Sequence, residues 1–178
     1  MSGVGRRSVI GAAAGAALAT GLWSDAEAAT VGKAAPKFAV VTYDRQKITF
    51  DQLKGKVILL NYWATWCAPC RAEMVVMDSY MRAHPGNDLK IYAVATEESL
   101  PPEKLRPLAS VLAFPLAAKL LGSGYGIRGG VPTSYVIDRA GIIRHARAGA
   151  FDDADFDALI TPLLAEAAPT DGPRTDRA

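Results

Sequence analysis

The sequence predicts an α/β domain in which a mixed central sheet carries helices on both faces. Residues 57–63, "VILLNYW", form a nearly continuous apolar run, which is typical of a strand buried on both faces. A helical spacing of apolar residues follows over residues 67–84. Residues 133–147, "TSYVIDRAGIIRHAR", have the composition and the central turn signal of a β-hairpin. This alternation of strands and helices favours a sheet between helical layers.

The remaining strands are short. "KFAVVTYD" (residues 37–44) and "KITF" (47–50) flank a polar turn, so they predict an N-terminal β-hairpin. "KIYAVAT" (90–96) is a second apolar run with the length of a buried strand. "FPLA" (114–117) has the length of a short strand only.

Three segments predict helices. Residues 67–84 carry methionines at helical spacing, and the pattern stops at "HPG". Residues 101–112 have prolines where the first turn of a helix tolerates them. Residues 152–168 begin with aspartates, which the positive end of a helix favours. Pro162 lies inside this last helix, and we expect it to kink or shorten the helix.

The N-terminus has the features of an export signal. Arg6 and Arg7 precede a mild apolar run at Val9–Leu22, which is too short for a membrane span of about 20 residues. Small residues then suit cleavage after Ala28 or Ala29. The arginine pair resembles a twin-arginine signal, and a general secretory signal is the alternative. In either case we expect the mature protein in the periplasm, where disulfides form.

Length and composition indicate one domain between two tails. Residues 1–29 are the predicted signal peptide, residues 30–166 the folded domain, and residues 167–178 a polar tail expected to be disordered. The formal net charge of the 178 residues is +2, and the charges are interspersed. This distribution argues against a nucleic-acid partner. We expect a monomer.

The chain has only two cysteines, Cys67 and Cys70, and they lie two residues apart at the predicted start of a helix. A disulfide between them closes almost no loop, so it adds little to stability and chemistry is the better explanation. Unpaired N–H groups and the macrodipole at a helix start favour the thiolate of Cys67, which is the nucleophilic form. Cys70 falls one turn later, within bonding reach. Pro69 suits the first turn of the helix.

Metal sites explain this pattern less well. A zinc site needs four nitrogen or sulfur ligands at fixed spacing, and the chain adds only His84 and His145, in a helix end and a hairpin. Haem attachment requires a histidine after the second cysteine, and Arg71 stands there. The methionines of the first helix are better read as core residues than as copper ligands.

Several motifs together resemble a known family. "WATWCAPC" lies within "LKGKVILLNYWATWCAPCRAEM", and "GGVPT" lies within "YGIRGGVPTSYVIDRAGII"; "GKAAPKF" and "IYAVAT" add to the pattern. The sequence resembles the thioredoxin superfamily and, more narrowly, the exported TlpA/ResA-like thiol-disulfide oxidoreductases. The resemblance runs from about Gly32 to Leu164. It implies a thioredoxin fold with an N-terminal β-hairpin and an extra βα insertion.

The resemblance also implies roles for individual residues. Cys67 would be the exposed attacking thiol and Cys70 the buried resolving thiol. Pro132 would match the cis-proline that faces the cysteine pair. The backbone of Val131 would then pair with an extended substrate strand. Trp66 would shield the rim of the active site.

Two polar positions concern proton transfer. Asn61 lies in the central strand where thioredoxin has a buried aspartate, and an amide cannot take over the proton-transfer role of that carboxylate. Glu73 comes three residues after Cys70, on the same face of the helix. TlpA/ResA-like proteins have a glutamate at this place. Our hypothesis is that partial burial raises the pKa of Glu73, which then shuttles the proton of Cys70.

The sequence departs from the family pattern at two places. Many members have a proline two residues after the glutamate, whereas Val75 stands there, so we expect a straighter helix. Residues 114–127 are also fewer than the family's usual strand and helix at this point. We expect the helix there to be one turn long or absent.

The sequence therefore predicts a protein-disulfide reductase without a cofactor or a metal. Its expected clients are disulfides of periplasmic proteins, such as apocytochrome c or copper-site assembly factors. A membrane thiol-electron carrier would re-reduce it. One alternative is a thiol peroxidase, although peroxiredoxins place their cysteine in a different motif. The other is a non-catalytic copper chaperone in which Cys67, Cys70 and His145 hold Cu(I), although related copper proteins space their cysteines more widely.

Overall fold

The computed structural model of the protein describes residues 28–96 and 101–169. The features predicted for the export signal before Ala28, and the tail from residue 170, lie outside the described residues. Within the described part, no helix is long and apolar enough to cross a membrane.

The sheet has seven strands in the order β2-β1-β5-β4-β3-β6-β7. In chain order they are β1 Phe38–Thr42, β2 Lys47–Thr49, β3 Val57–Trp63, β4 Leu89–Ala95, β5 Leu116–Gly122, β6 Thr133–Ile137 and β7 Ile143–Ala148. The central strand β3 pairs parallel with β4 and antiparallel with β6. Strand β5 pairs parallel with β4 and antiparallel with β1. The predicted mixed sheet is therefore confirmed.

Strand β3 is buried on both faces, as its apolar run predicts. Val57, Leu59 and Trp63 pack into one hydrophobic cluster, and Ile58 and Leu60 pack into the other. Successive side chains of a strand point to opposite faces of the sheet, so one strand supplies both clusters. The C-terminal end of β3 leads directly to the cysteine pair.

The helices are α1 Ala68–Ala83, α2 Pro102–Ala109 and α3 Asp153–Ala165. Helices lie on both faces of the sheet, as predicted, but the buried residues of all three α-helices belong to one cluster. The other cluster is closed by the 3-10 helix Phe50–Leu53 and by loop residues such as Ala29 and Tyr125. A βα insertion was expected, and the chain has helix α2 followed by strand β5 between β4 and β6.

Strand β5 is longer than expected, and in the described chain no α-helix packs on the face of the sheet that the Phe50–Leu53 3-10 helix closes. It runs over Leu116–Gly122, beyond the short strand expected at 114–117, and pairs with β1 along its length. The helix expected to be one turn long or absent before the proline loop is absent. Gly122 has φ +128°, and a Cβ there would lie 2.7 Å from the carbonyl oxygen of Lys37. Only glycine permits this close approach of the two strands.

The three α-helices differ from the sequence predictions mainly in where they end. Helix α1 runs without a break past Val75, which is exposed. The Asp152 carboxylate accepts a hydrogen bond from the Asp155 N–H at 2.8 Å and begins α3. This helix continues past Pro162 and ends at Ala165, three residues before the predicted end. Helix α2 is likewise shorter than the predicted 101–112.

The predicted β6–β7 hairpin turns at Asp138. Its carboxylate accepts hydrogen bonds from the N–H groups of Ala140 and Ile142, each at 2.9 Å. Its other oxygen pairs with Arg144. The "DRAG" turn signal is therefore confirmed, with the aspartate as its organising residue.

Candidate active site

Cys67 is the residue that begins helix α1. Its backbone is extended, and its Sγ accepts a hydrogen bond from the Cys70 N–H at 3.2 Å. A sulfur in this position receives the N–H groups and the positive dipole end of the helix. The first turn tolerates Pro69 because the missing N–H has no partner within the helix. The local sequence thus places a sulfur where negative charge is stabilised.

Cys67 and Cys70 form a disulfide. Cys67 is 4% exposed and Cys70 is 0% exposed, so the outer sulfur is the one that the resemblance assigns to attack. Cys67 is less exposed than expected, because its sulfur is bonded to Cys70 and lies 3.5 Å from the carbonyl oxygen of Val131. The neighbouring Trp66 is 71% exposed and stands at the rim.

The loop before β6 faces the sulfur pair. The Val131–Pro132 peptide bond is cis, in agreement with the resemblance. The Thr133 hydroxyl donates to the Gly130 carbonyl at 2.6 Å. The Pro132 carbonyl accepts from the Gly149 N–H at 3.0 Å. These bonds hold the Val131 carbonyl against Cys67.

Arg128 anchors the same loop from the other side. Its Nε donates to the Tyr135 hydroxyl at 3.1 Å, and its Nη2 donates to the Ala29 carbonyl at 2.6 Å. Its backbone N–H donates to the Thr133 hydroxyl at 3.1 Å. The guanidinium group also lies over the Tyr135 ring, 5.4 Å from its centroid. The sequence gives no signal of this role, because the partner Ala29 lies 99 residues away in the chain.

Glu73 is fully buried on the inner face of α1, one turn after Cys70. Its Oε1 accepts from the Phe151 N–H at 3.3 Å, and its Oε2 accepts from the Asn61 amide at 2.8 Å. Burial raises the pKa of Glu73 to about 7, although the hydrogen bonds act in the opposite direction. A carboxyl with this pKa exchanges protons near neutral pH, as the hypothesis requires.

Asn61 connects Glu73 to strand β6. Its Nδ2 also donates to the Ser134 hydroxyl at 2.9 Å, and Asn61 pairs with Ser134 in the β3–β6 register. The Oδ1 of the same amide is buried and has no hydrogen-bond partner. Ser134 was missed in the sequence, because a serine in an apolar strand gives no signal of its partner. The sequence indicates that Asn61 cannot transfer protons, but it does not indicate that Asn61 links Glu73 to Ser134.

The histidines lie in other surroundings. His84 is exposed and stacks on Tyr80. The ring of His145 lies 4.9 Å from that of Phe151, and burial lowers its pKa to about 4. Among the described residues, no group of three or more His, Cys, Asp and Glu side chains is arranged to hold a metal ion.

Comparisons with known proteins agree with this geometry. The model of the AhpC/TSA family matches residues 31–146. The thiol-disulfide oxidoreductase ResA of Bacillus thuringiensis (strain Al Hakam) is 35% identical over 137 residues, which cover 75% of this chain and 78% of that protein. The thiol:disulfide interchange protein DsbE of Yersinia pestis is 32% identical over 144 residues, covering 77% and 74% of the two chains.

A solved structure shows the same architecture. The crystal structure of a thioredoxin-family thiol:disulfide interchange protein from Chlorobium tepidum TLS superposes with a TM-score of 0.61 at 29% identity. The match covers 74% of this chain and 96% of that one. The relatives and the fold point in one direction: this chain belongs to the AhpC/TSA family of thioredoxin-like proteins and is a thiol-disulfide oxidoreductase.

Proposed function

We propose that this oxidoreductase works in the reductive direction, on disulfides of client proteins outside the cytoplasm. One observation carries the proposal: a sulfur pair at the start of a helix, facing the Val131 carbonyl and beside a buried carboxyl. Helix α1 stabilises a thiolate at Cys67. The Val131 backbone offers an extended client segment a place to pair. Trp66 adds an exposed apolar surface next to the sulfurs.

The reaction begins from the dithiol form. The Cys67 thiolate attacks one sulfur of the client disulfide, the client S–S bond breaks, and one client sulfur leaves as a thiolate that takes up a proton. A mixed disulfide now joins Cys67 to the client. Cys70 must lose its proton to complete the exchange, because the thiolate is the attacking species.

Glu73 is the acceptor that we propose for this proton. Its carboxyl lies on the same helix face as Cys70, and its pKa of about 7 permits uptake and release near neutral pH. The Cys70 thiolate attacks Cys67 Sγ, the mixed disulfide breaks, and the second client thiolate leaves and is protonated. Two electrons have passed to the client, and the Cys67–Cys70 disulfide remains. A membrane thiol-electron carrier then returns two electrons and two protons.

The cellular setting is part of the proposal. We infer that the signal peptide predicted over residues 1–29 is cleaved after Ala28, and that the thioredoxin-like domain predicted over residues 30–166 begins at Ala29. The Ala29 N–H donates to the Gly124 carbonyl at 3.0 Å, and Ala29 is fully buried. These contacts favour cleavage after Ala28 over cleavage after Ala29, because they keep Ala29 in the domain. Periplasmic apocytochrome c or copper-site assembly factors are the proposed clients of the monomer.

Trapping the mixed disulfide tests the proposal. In Cys70→Ser the second step is blocked, so clients should stay attached to Cys67 and appear as thiol-sensitive adducts. Their mass-spectrometric identification names the clients. The double variant Cys67→Ser/Cys70→Ser is the matched control and should trap nothing. Equal trapping in the control would refute the role of Cys67. A redox titration against glutathione then gives the direction of electron flow.

Two other activities give different results with the same preparation. A thiol peroxidase would consume hydrogen peroxide with a matching loss of reduced Cys67. A copper chaperone would hold Cu(I), and Cys67→Ser would abolish that binding. We expect neither peroxide turnover nor tight copper binding, because peroxiredoxins place their cysteine in a different motif and related copper proteins space their cysteines more widely.

A further inference from the structure

We propose that the side-chain amide of Asn61 is a positioning group that reverses its orientation when Glu73 gains or loses a proton, with Ser134 as its third member. The inference deepens the proposed function, since it concerns the proton that Glu73 exchanges with Cys70. It assigns to Asn61 a role different from that of a proton carrier.

The observed orientation suits an ionised Glu73. The two N–H bonds of Asn61 Nδ2 point to Glu73 Oε2 at 2.8 Å and to the Ser134 hydroxyl oxygen at 2.9 Å. A carboxylate only accepts hydrogen bonds, so it requires a donor at this position. The Phe151 N–H supplies a second donor, to Oε1. All four groups are buried in the core, where bulk water does not replace a lost donor.

A Glu73 protonated on Oε2 has a different requirement at that oxygen, whereas its Oε1 still accepts from the Phe151 N–H. Its carboxyl group then carries an O–H that needs an acceptor, and the Asn61 N–H groups cannot accept. Rotation of the amide by half a turn puts Oδ1 where Nδ2 was. Oδ1 then accepts from the Glu73 carboxyl and from the Ser134 hydroxyl, whose hydrogen rotates to suit. The reversed amide therefore matches the neutral acid.

Each orientation of the Asn61 amide leaves one of its polar atoms unpaired, which makes the two orientations comparable in energy. Oδ1 is buried without a partner in the observed orientation. In the reversed orientation Nδ2 takes that place and is unpaired in turn. Each orientation therefore leaves one end of the amide without a hydrogen-bond partner, and this destabilises both states. The protonation state of Glu73 is then what selects between them.

Few other ionisable groups surround this cluster. The pKa of Glu73 is set by burial and by hydrogen bonds from Phe151, Asn61 and Ser134, with no charged side chain among the causes. Cys70 lies one turn earlier on α1 and is part of the disulfide. On the remaining side, the ring of His145 in β7 lies tilted against that of Phe151, and Asp152 begins α3. The pKa of His145 is lowered to about 4, so it stays neutral where Glu73 titrates.

Nuclear magnetic resonance on the oxidised protein tests the inference directly. The side-chain ¹⁵N–H signals of Asn61 should shift between pH 5 and pH 9, with the same midpoint as the ¹³C signal of the Glu73 carboxyl. The cysteines do not titrate in the disulfide form, so they do not contribute to this shift. In Glu73→Gln the Asn61 signals should be independent of pH. Asn61 signals that stay constant in the unmodified protein while Glu73 titrates would overturn the inference.

Kinetics on variants give a second, independent readout. In Asn61→Leu the carboxylate loses a donor, so the midpoint of the pH–rate profile of thiol exchange should rise by about one pH unit, a tenfold change in proton affinity. Ser134→Ala keeps the Asn61–Glu73 bond and should move the midpoint less. A lower rate with an unmoved midpoint in both variants would indicate a purely structural role and contradict the inference.

The two proposals fail separately. Absence of trapped clients in Cys70→Ser would refute the proposed function but leave the resonance experiment intact, since that experiment uses no client. Trapped clients together with a pH-independent Asn61 amide would support the function and refute the role of Asn61.

Discussion

Replacing Glu73 by glutamine should remove a pH dependence from the stability of the oxidised protein. Glutamine has nearly the shape of glutamate and its amide can still donate and accept, but it does not ionise. The carboxyl is fully buried, and its pKa is raised from an ordinary 4.5 to about 7. The folded protein therefore holds this proton more tightly than the unfolded chain does.

The sign and size of the effect follow from proton linkage. Between pH 4.5 and pH 7 the folded state binds one proton that the unfolded state has released, so the free energy of unfolding falls as pH rises. The slope is about 1.4 kcal/mol per pH unit. Over this window the stability falls by about 3 kcal/mol, all of it present below pH 4.5 and lost above pH 7. In Glu73→Gln this contribution should vanish.

Urea denaturation of both proteins at pH 5 and at pH 8 measures the difference. Other ionisable groups affect both proteins equally, so the relevant quantity is the change in the free-energy difference between them. From pH 5 to pH 8, we expect the free energy of unfolding of the variant to rise by about 2–3 kcal/mol relative to that of the unmodified protein. Parallel pH dependences would mean that Glu73 titrates normally in the fold, and the proposed proton transfer from Cys70 would lose its physical basis.

Three further changes have defined outcomes. Arg128→Met removes the side-chain donors to Tyr135 and Ala29, and should raise the KM for a disulfide-bonded peptide by about tenfold; reaction with a small disulfide should be unaffected, and an unchanged peptide KM would contradict this. Gly122→Ala should lower the free energy of unfolding by about 2 kcal/mol or more, because of its positive φ and a Cβ contact 2.7 Å from the Lys37 carbonyl; a urea midpoint equal to that of the unmodified protein would refute it. Met77→Ala, at a fully buried site, should cost about 3 kcal/mol in the same assay, and a loss below 1 kcal/mol would show that the core closes around the gap.

Local patterns in the sequence predict much of this fold and site. The apolar run of β3 and the methionines of α1 place the cysteines between a buried strand and a helix, where the structure has them. The turn signal of the β6–β7 hairpin is equally local. Glu73 lies where helical spacing and the family resemblance put it. These features depend on residues within about one element, so one sequence suffices to predict them.

Other features depend on contacts between distant residues. Strand β5 is longer than its apolar residues predict, because it pairs with β1. Gly122 permits the close approach of the two strands. The contact of Asn61 with Ser134 joins residues 73 positions apart, and that of Arg128 with Ala29 joins residues 99 apart. The sequence around Ser134 or Arg128 does not indicate which residue either one contacts. The packing of all three α-helices into one cluster likewise depends on contacts between elements that are distant in the chain.

The position of β1 affects the order in which the polypeptide can assemble during synthesis. Beyond its hairpin partner β2, this strand joins the sheet through β5, whose residues emerge about 80 positions later. In a growing chain that ends before residue 116, the N-terminal hairpin therefore has no strand through which to pair with the rest of the sheet. Closing so long a loop is slow compared with forming local contacts. Ribosome-bound chains should thus gain protease resistance in their first strands only after residue 122 has left the exit tunnel.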